Sequence, residues 1–404
     1  MDLELSPRRL SGVLTPPPSK SLTQRLLLCA ALAEGTSSLH NIYLSDDVRA
    51  AVRCAEALGA RCERAGETLR VTGCGGRFSG AEPPRFDCGE SAAVLRFFLP
   101  AALCVSHGGV FTGRGRLPER PLWPYLRLFD EKGVRWGMTD GALSVAGSLP
   151  AGVYRLPGDV SSQFFSGLLM ALPLADGASE IVAETPPESA PYIDLTIGAM
   201  ALAGLCAECA GDRFFVEKQS YRPFEAAIEP DWSQAAVWIA ARFLGNGIEL
   251  RGLDDDSRQG DRRIVDYAAR LSAPGELTLD VSPCQDLLPP LAAMAALREG
   301  SCRLEGAARL RFKESDRLAS AAAALRALGA EVREEQDALT IRGGKTLRGG
   351  EVDCRGDHRI AMTAAVLATR CDAPVRLHGA DCVKKSYPDF WEVYQRLGGE
   401  CHVL

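Results

Sequence analysis

The stretch from Ser45 to Gly73 repeats the pattern of the stretch from Ser315 to Gly343 without a gap. Leu58-Gly59-Ala60 falls on Leu328-Gly329-Ala330, and at the same offset Gly73 falls on Gly343. Each copy reads as a capped amphipathic helix, a Leu-Gly-Ala stop and two short strands. Weaker copies run from Gly133 to Gly147, from Gly204 to Val216, and near Leu397-Gly398-Gly399. A register held unbroken from Ser45 through Gly73 marks a duplicated architecture, so any fold for this chain must be built from repeats.

A second series interleaves with the first. Lys20, Ser91, Ser161, Ser233, Asp286 and Arg359 each stand at the polar start of an otherwise apolar helical run. Their steps are nearly equal, except that the one from Ser233 to Asp286 is short. Runs apolar nearly all round are buried. In the first, Pro16-Pro17-Pro18 keeps the backbone extended. Ser19 or Ser21 then caps a helix that is expected to run to a stop at Gly35. Lys20 and Gln24 stand four apart, as do Ser21 and Arg25, which stacks bases and hydrogen-bonders at a positive helix end suited to an anion.

A period of about 70 residues is too long for a solenoid repeat. Strand, buried helix, strand, surface helix and a closing hairpin fill one period, and six periods divide into two domains of three. The fold expected is α+β: two similar domains, each of three βαβαββ units, joined by two crossovers. The triple proline marks one crossover and Tyr221 to Pro230 the other, giving a discontinuous domain of residues 1–15 plus 226–404 and a second of 16–225. If the domains face each other, six positive helix ends converge on one cleft.

Composition narrows the function. With 404 residues, 46% hydrophobic and 24% charged, the chain is globular, and its net charge of −6 argues against a nucleic-acid partner. No apolar run of about 18 residues and no signal peptide is evident, so no membrane role and a cytoplasmic location are expected. The 14 cysteines are scattered and are expected to be reduced. Cys206 and Cys209 form a CxxC without two further ligands nearby, which leaves no metal site. There is no Walker lysine motif, and Gly73-Cys74-Gly75-Gly76 lacks the strand–GxGxxG–helix context of a dinucleotide site.

Cations gather elsewhere. Arg309, Arg311, Lys313 and Arg317 crowd the start of one surface helix, where Lys313 and Arg317 are expected to share a face. Arg120, Arg359 and Lys385 stand at element boundaries, and Ser161, Ser162, Gln163 and Ser189 add neutral donors. Two carboxylates among them, Asp286 and Glu314, are candidates for moving protons. Many cations with few acids imply small substrates that carry phosphate and carboxylate.

With these residues the chain resembles the 5-enolpyruvylshikimate-3-phosphate synthase family, also called 3-phosphoshikimate 1-carboxyvinyltransferase. The matching stretches are Ser19-Lys20-Ser21 with Arg25, Ser45-Asp46-Asp47-Val48-Arg49, Glu119-Arg120-Pro121, Ser161-Ser162-Gln163-Phe164 and Pro191-Tyr192-Ile193-Asp194. Further on come Lys313 to Arg317, Asp357-His358-Arg359 and Lys385 to Asp389. They span almost the whole chain in the family's order.

The resemblance implies an enolpyruvyl-transferase fold, an inside-out α/β barrel in each domain, with the active site in the cleft between domains. It implies transfer of the enolpyruvyl group of phosphoenolpyruvate to shikimate 3-phosphate through a tetrahedral intermediate, with no metal or organic cofactor. By position, Ser21 and Arg25 hold the shikimate carboxylate, and Ser161, Ser162 and Ser189 hold its phosphate. Gln163 lies between the substrates, and Lys313 lies near the shikimate hydroxyls. Arg317 and Arg359 grip the phosphoenolpyruvate carboxylate, and Lys20, Arg120 and Lys385 its phosphate. Asp286 is the base, and Glu314, assisted by Lys20, the acid. The partners expected are the two small molecules alone, and the working unit a monomer.

Three positions depart from the family's pattern. Its common Asn-Ala-Gly-Thr-Ala is Glu90-Ser91-Ala92-Ala93-Val94 here, which puts Ala92 against the phosphoenolpyruvate pocket in place of Gly. Arg309 stands where Asn is frequent, and Ala190 where Lys or Arg is frequent. The sister transferase acting on UDP-N-acetylglucosamine has Asn after its first lysine and a reactive Cys on a mobile loop. Here Ser21 follows Lys20, and Arg114-Gly115-Arg116 holds no Cys. A non-catalytic phospho-ligand-binding relative is the other alternative, against which Lys20, Asp286 and Glu314 all stand.

Overall fold

A computed structural model describes residues 1–404. Twelve α-helices follow one another as α1 Lys20–Leu32, α2 Asp46–Ala57, α3 Ala92–Val105, α4 Trp123–Lys132, α5 Ser162–Ala171 and α6 Pro191–Leu202. The remainder are α7 Trp232–Phe243, α8 Ile264–Leu271, α9 Leu288–Leu297, α10 Arg317–Ala327, α11 His358–Ala368 and α12 Phe390–Arg396. The odd-numbered helices are the buried series of the sequence, and the even-numbered ones the outer series. In α1 every residue from Thr23 to Leu32 is buried, whereas α2 buries only one stripe.

The chain divides into two compact units, one of Met1–Pro17 with Pro230–Leu404, the other of Pro18–Glu229. These limits lie beyond the expected 15/16 and 225/226. The strand Glu225–Ala227 still pairs in parallel with Glu34–His40 of the second unit. At the other crossing, the Pro17 carbonyl accepts from the Asp231 amide at 2.8 Å within the first unit.

Five four-stranded sheets share one order. A leading strand lies parallel to a second, and a terminal hairpin pairs antiparallel with that second strand. Leu277–Asp280, Ser301–Glu305, Leu339–Arg342 and Glu331–Glu334 stand side by side in this way. In the last sheet the hairpin is assembled from both ends of the chain, Leu3–Leu5 pairing with Val375–His378 and with Cys401–Val403.

The sixth unit is incomplete. Its sheet has two strands, Ser11–Leu14 and Gly247–Leu250, and α8 leads straight to the strand Leu277–Asp280 with no hairpin between. That omission accounts for the short step from Ser233 to Asp286, so the expectation of six full βαβαββ units holds for five.

The repeat is legible in backbone chemistry. Gly73 and Gly343 lie at the ends of their hairpins, pressed against the end of a buried helix. A Cβ on Gly73 would drive into the carbonyl oxygens of Ala30 and Ala33, and one on Gly343 into those of Ala295 and Arg298. Gly59 and Gly329 each follow an outer helix at φ +107° and +84°, a conformation that favours glycine. Two local expectations are corrected. Ser19 caps α1 through the Leu22 amide, and the helix ends at Leu32. Gly35 lies inside the following strand, packed on Pro223.

Candidate functional site

In the unit Pro18–Glu229, three buried helices start with a serine cap: Ser19 for α1, Ser91 for α3 and Ser161 for α5, each accepting an amide from the first turn. Side chains one turn further in tie the three starts together. Gln24 of α1 donates to the Ser91 hydroxyl at 3.1 Å and to the Asp47 carbonyl at 3.3 Å. Arg96 of α3 donates to Ser161 Oγ at 3.4 Å, to Gln163 Oε1 at 2.9 Å and to the Pro121 carbonyl at 2.6 Å, with its guanidinium over the Phe164 ring. Three helix dipoles therefore present their positive ends together.

Lys20, the first residue of α1, donates to Asp47 Oδ2 at 2.9 Å. Arg25 is fully enclosed. Its Nε donates to Thr196 at 2.7 Å, and its terminal nitrogens to the carbonyls of Ser21 at 2.7 Å and Tyr192 at 3.1 Å. Its guanidinium also lies over the Phe97 ring. Burial pulls its pKa down to about 10, so it stays charged at neutral pH. Its hydrogen-bond acceptors are hydroxyls and backbone carbonyls, neutral dipoles that hold the cation without cancelling its charge.

Ser162 is buried on the first turn of α5, and Ser189 sits just before α6 at φ +54°. Ala92 heads α3 and is 3% exposed. Arg120 closes the 3-10 turn Leu117–Glu119.

The other unit carries a denser cluster. Asp286 lies on the 3-10 turn Ser282–Leu287 that leads into α9. Its Oδ1 accepts from Lys313 at 3.2 Å and from Arg317 at 2.7 Å, and its Oδ2 from Arg359 at 3.3 Å. Burial pushes the Asp286 pKa up, but Arg359, Lys313 and Arg317 together outweigh it and hold the carboxyl well below the usual carboxylate range.

Arg317, 1% exposed, also donates to both oxygens of Asp357, at 2.8 and 3.1 Å, and to Glu314 at 2.6 Å. Its pKa is raised: burial works against the charge, and Asp357, Glu314 and Asp286 overcome it. Arg359 further donates to Ser233 at 2.8 Å, and Ser233 donates to Asp261. Lys385 is buried at the end of the turn Ala380–Lys385.

Several expectations change in detail. Lys313 and Arg317 converge on one oxygen of Asp286, yet no helix face is shared: Lys313 precedes α10, whose cap is Asp316. The expectation of few acids also fails, since Asp357 and Asp261 join Asp286 and Glu314 in the cluster. A guanidinium as buried as Arg317 needs carboxylates around it.

Sequence reasoning passed over Asp47, Arg96, Asp261 and Asp357 as members of the site. Arg96 had a readable signal as the only charged residue of α3, and a lone charge in an apolar run must be partnered. Asp357 had another: it caps α11 by accepting from the Arg359 amide, so one residue fixes both arginines. No group of three or more His, Cys, Asp or Glu side chains is arranged to hold a metal ion, and all 14 cysteines are free. No helix is long and apolar enough to cross a membrane.

Comparison with known proteins gives the cluster its setting. A family model described as EPSP synthase (3-phosphoshikimate 1-carboxyvinyltransferase) matches residues 5–394. The chain is 40% identical to a 3-phosphoshikimate 1-carboxyvinyltransferase of Clostridium kluyveri over 98% of this chain and 97% of that one. It is 39% identical to the protein of the same name in Clostridium acetobutylicum, over 99% and 98%. Its fold superposes on the EPSP synthase of Acinetobacter baumannii with a TM-score of 0.82 at 23% identity over the full length of both chains. The enolpyruvyl transferase NikO of Streptomyces tendae gives a TM-score of 0.78 at 17% identity, covering 99% of this chain and 98% of that one. With a family model spanning nearly the whole sequence and relatives at this identity across their full length, the chain belongs to the EPSP synthase (3-phosphoshikimate 1-carboxyvinyltransferase) family.

Proposed function

We propose that this chain transfers the enolpyruvyl group of phosphoenolpyruvate to the 5-hydroxyl of shikimate 3-phosphate and releases inorganic phosphate, a step of aromatic amino acid biosynthesis in the cytoplasm. The observation that carries this reading is the Asp286 carboxylate set among Lys313, Arg317 and Arg359. It is a proton acceptor at the centre of a cation cluster that suits a carboxylate–phosphate substrate.

In the reaction as proposed, Asp286 takes the proton of the 5-hydroxyl as its oxygen bonds to C2 of phosphoenolpyruvate. Glu314, with Lys20, delivers a proton to C3, giving the tetrahedral adduct. The C2–O bond to phosphate then breaks, the phosphate leaving with the proton that Asp286 took, C3 returns its proton to Glu314, and the enol ether forms. Arg317 and Arg359 suit the substrate carboxylate because guanidinium pairs with carboxylate in a fork. Lys20, Arg120 and Lys385 stabilise charge on the departing phosphate, and preplaced cations lower the barrier most where charge develops. Ala92, at the head of α3, lies along the phosphoenolpyruvate pocket.

For shikimate 3-phosphate, Arg25 and Ser21 hold the carboxylate. Ser161, Ser162 and Ser189 hold the phosphate, and Gln163 and Lys313 flank the ring. Bringing two anions together against their repulsion contributes through proximity. The test is a phosphate-release assay. Release is expected only when both substrates are present, and release from phosphoenolpyruvate alone, or none with both, would overturn the reading.

A further inference from the structure

The incomplete sheet leaves a surface that no assigned role uses. In the other five sheets the second strand is paired on both edges, parallel to the leading strand and antiparallel to its hairpin. Here Gly247–Leu250 pairs only with Ser11–Leu14. The Gly247 and Arg251 amides donate to the Leu10 and Leu14 carbonyls, so Ile248 and Leu250 turn their backbone groups to the open edge. Behind it lies a groove of about 960 Å³, lined by Ile239 and Phe243 of α7, Leu250, Leu253, and Val265 and Ala268 of α8. Val265 is 50% exposed. This is the position that a hairpin covers in the units of α1 with α2 and of α9 with α10, where hairpin strands lie against both the buried and the outer helix.

We propose that this edge takes a second copy of the chain, through antiparallel pairing of the two Gly247–Arg251 segments about a two-fold axis. The missing strand must run antiparallel to Gly247–Leu250, and a two-fold axis normal to the sheet supplies an antiparallel copy by symmetry. Charge selects the register. Glu249 and Arg251 lie on the outward face of the sheet, with side chains 58% and 65% exposed and Arg251 Nε donating to Glu249 Oε1 at 2.7 Å, so a partner strand meets an existing ion pair that it can extend into an alternating set of four charges. Centring the axis on Glu249 opposes two glutamates, and centring it on Arg251 opposes two arginines. Centring it on Leu250 sets Glu249 opposite the partner's Arg251 twice, and directly opposed cross-strand charges attract when unlike and repel when like.

In that register the Leu250 amide and carbonyl bond to their own symmetry mates. The two apolar grooves then become continuous beneath the new four-stranded sheet. On this proposal the chain forms a concentration-dependent pair in place of the monomer expected from the sequence, independently of the catalytic assignment.

Sedimentation velocity from about 1 to 100 µM reads the equilibrium. Dimer is expected to accumulate with concentration. Glu249→Arg and Arg251→Glu should each raise the dissociation constant about tenfold, through two like-charge oppositions. The double swap should restore it to within about threefold. Leu250→Pro removes an amide that faces only the open edge, so it should abolish pairing with circular dichroism unchanged. A monomer throughout this range, a dimer indifferent to the single swaps, or a double swap as weak as either single one would overturn the proposal.

Discussion

Asp286→Asn separates two consequences of one carboxylate. In the resting chain Asp286 occupies Arg317 at 2.7 Å, Lys313 at 3.2 Å and Arg359 at 3.3 Å. These are the groups proposed to receive the substrate. A base whose pKa lies well below the carboxylate range is a poor proton acceptor until that embrace loosens. On the proposed assignment, a substrate carboxylate arriving on Arg317 and Arg359 would exchange places with Asp286 and so raise its basicity.

Removing the charge should therefore do two opposite things. Turnover falls by roughly 10²- to 10⁴-fold, the usual contribution of a positioned base. Affinity for an unreactive phosphoenolpyruvate mimic rises, because an internal competitor is gone. One hydrogen bond to a charged group contributes about 1.5–3 kcal/mol, so binding should tighten roughly ten- to 150-fold. Isothermal titration with the mimic in the presence of shikimate 3-phosphate measures it. Equal or weaker affinity in the variant would refute the exchange, whatever happens to turnover.

Three further outcomes are expected. Lys20→Ala should lose turnover while the chain stays folded, its melting temperature lowered only by loss of the Asp47 pair since no cavity opens at the start of α1; wild-type activity would sink the assignment. Gly343→Ala should cost about 1–3 kcal/mol, because its methyl meets the carbonyls of Ala295 and Arg298. Gly137→Ala, with nothing within 4 Å, serves as the neutral control in thermal melts. Glyphosate, the family's inhibitor and longer than phosphoenolpyruvate, should inhibit weakly because of the Ala92 methyl, and Ala92→Gly should tighten inhibition roughly five- to 150-fold; equal inhibition constants would refute the steric account.

The repeat made most of the fold legible, because each period encodes its own helix stops and hairpin. Where the copies diverge, contacts distant in sequence decide. Ser45 caps α2 through the Val48 amide, but its counterpart Ser315 donates to Asp357 instead, and the cap of α10 passes to Asp316. No local rule states that slip. The short step from Ser233 to Asp286 was visible, yet its cause, a hairpin left out rather than shortened, required the sheet pairing. At the site, cations could be read from motifs. Asp47 and Asp357 lie in the same motifs, but their pairing with Lys20 and Arg317 could not be read, since each meets its lysine or arginine from a distant part of the chain. The placing of strands at the crossovers, with Ser11–Leu14 in one unit and Glu225–Ala227 in the other, likewise lies beyond periodicity.

The two halves of the repeat also differ in chemistry at one equivalent position. Buried helices of the unit Pro18–Glu229 are capped by Ser19, Ser91 and Ser161, whereas α7 and α11 of the other unit are capped by Asp231 and Asp357. A serine cap satisfies a first-turn amide and leaves the helix end positive, suited to a phosphate or carboxylate that only needs holding. An aspartate cap brings its own negative charge, which buried cations can answer. Asp357 is met by Arg317, and the pair anchors the guanidinium that reaches Asp286. The first arrangement suits binding. The second holds a carboxylate and its cations in a balance that an incoming anion can tip, which is the property that proton transfer on demand requires.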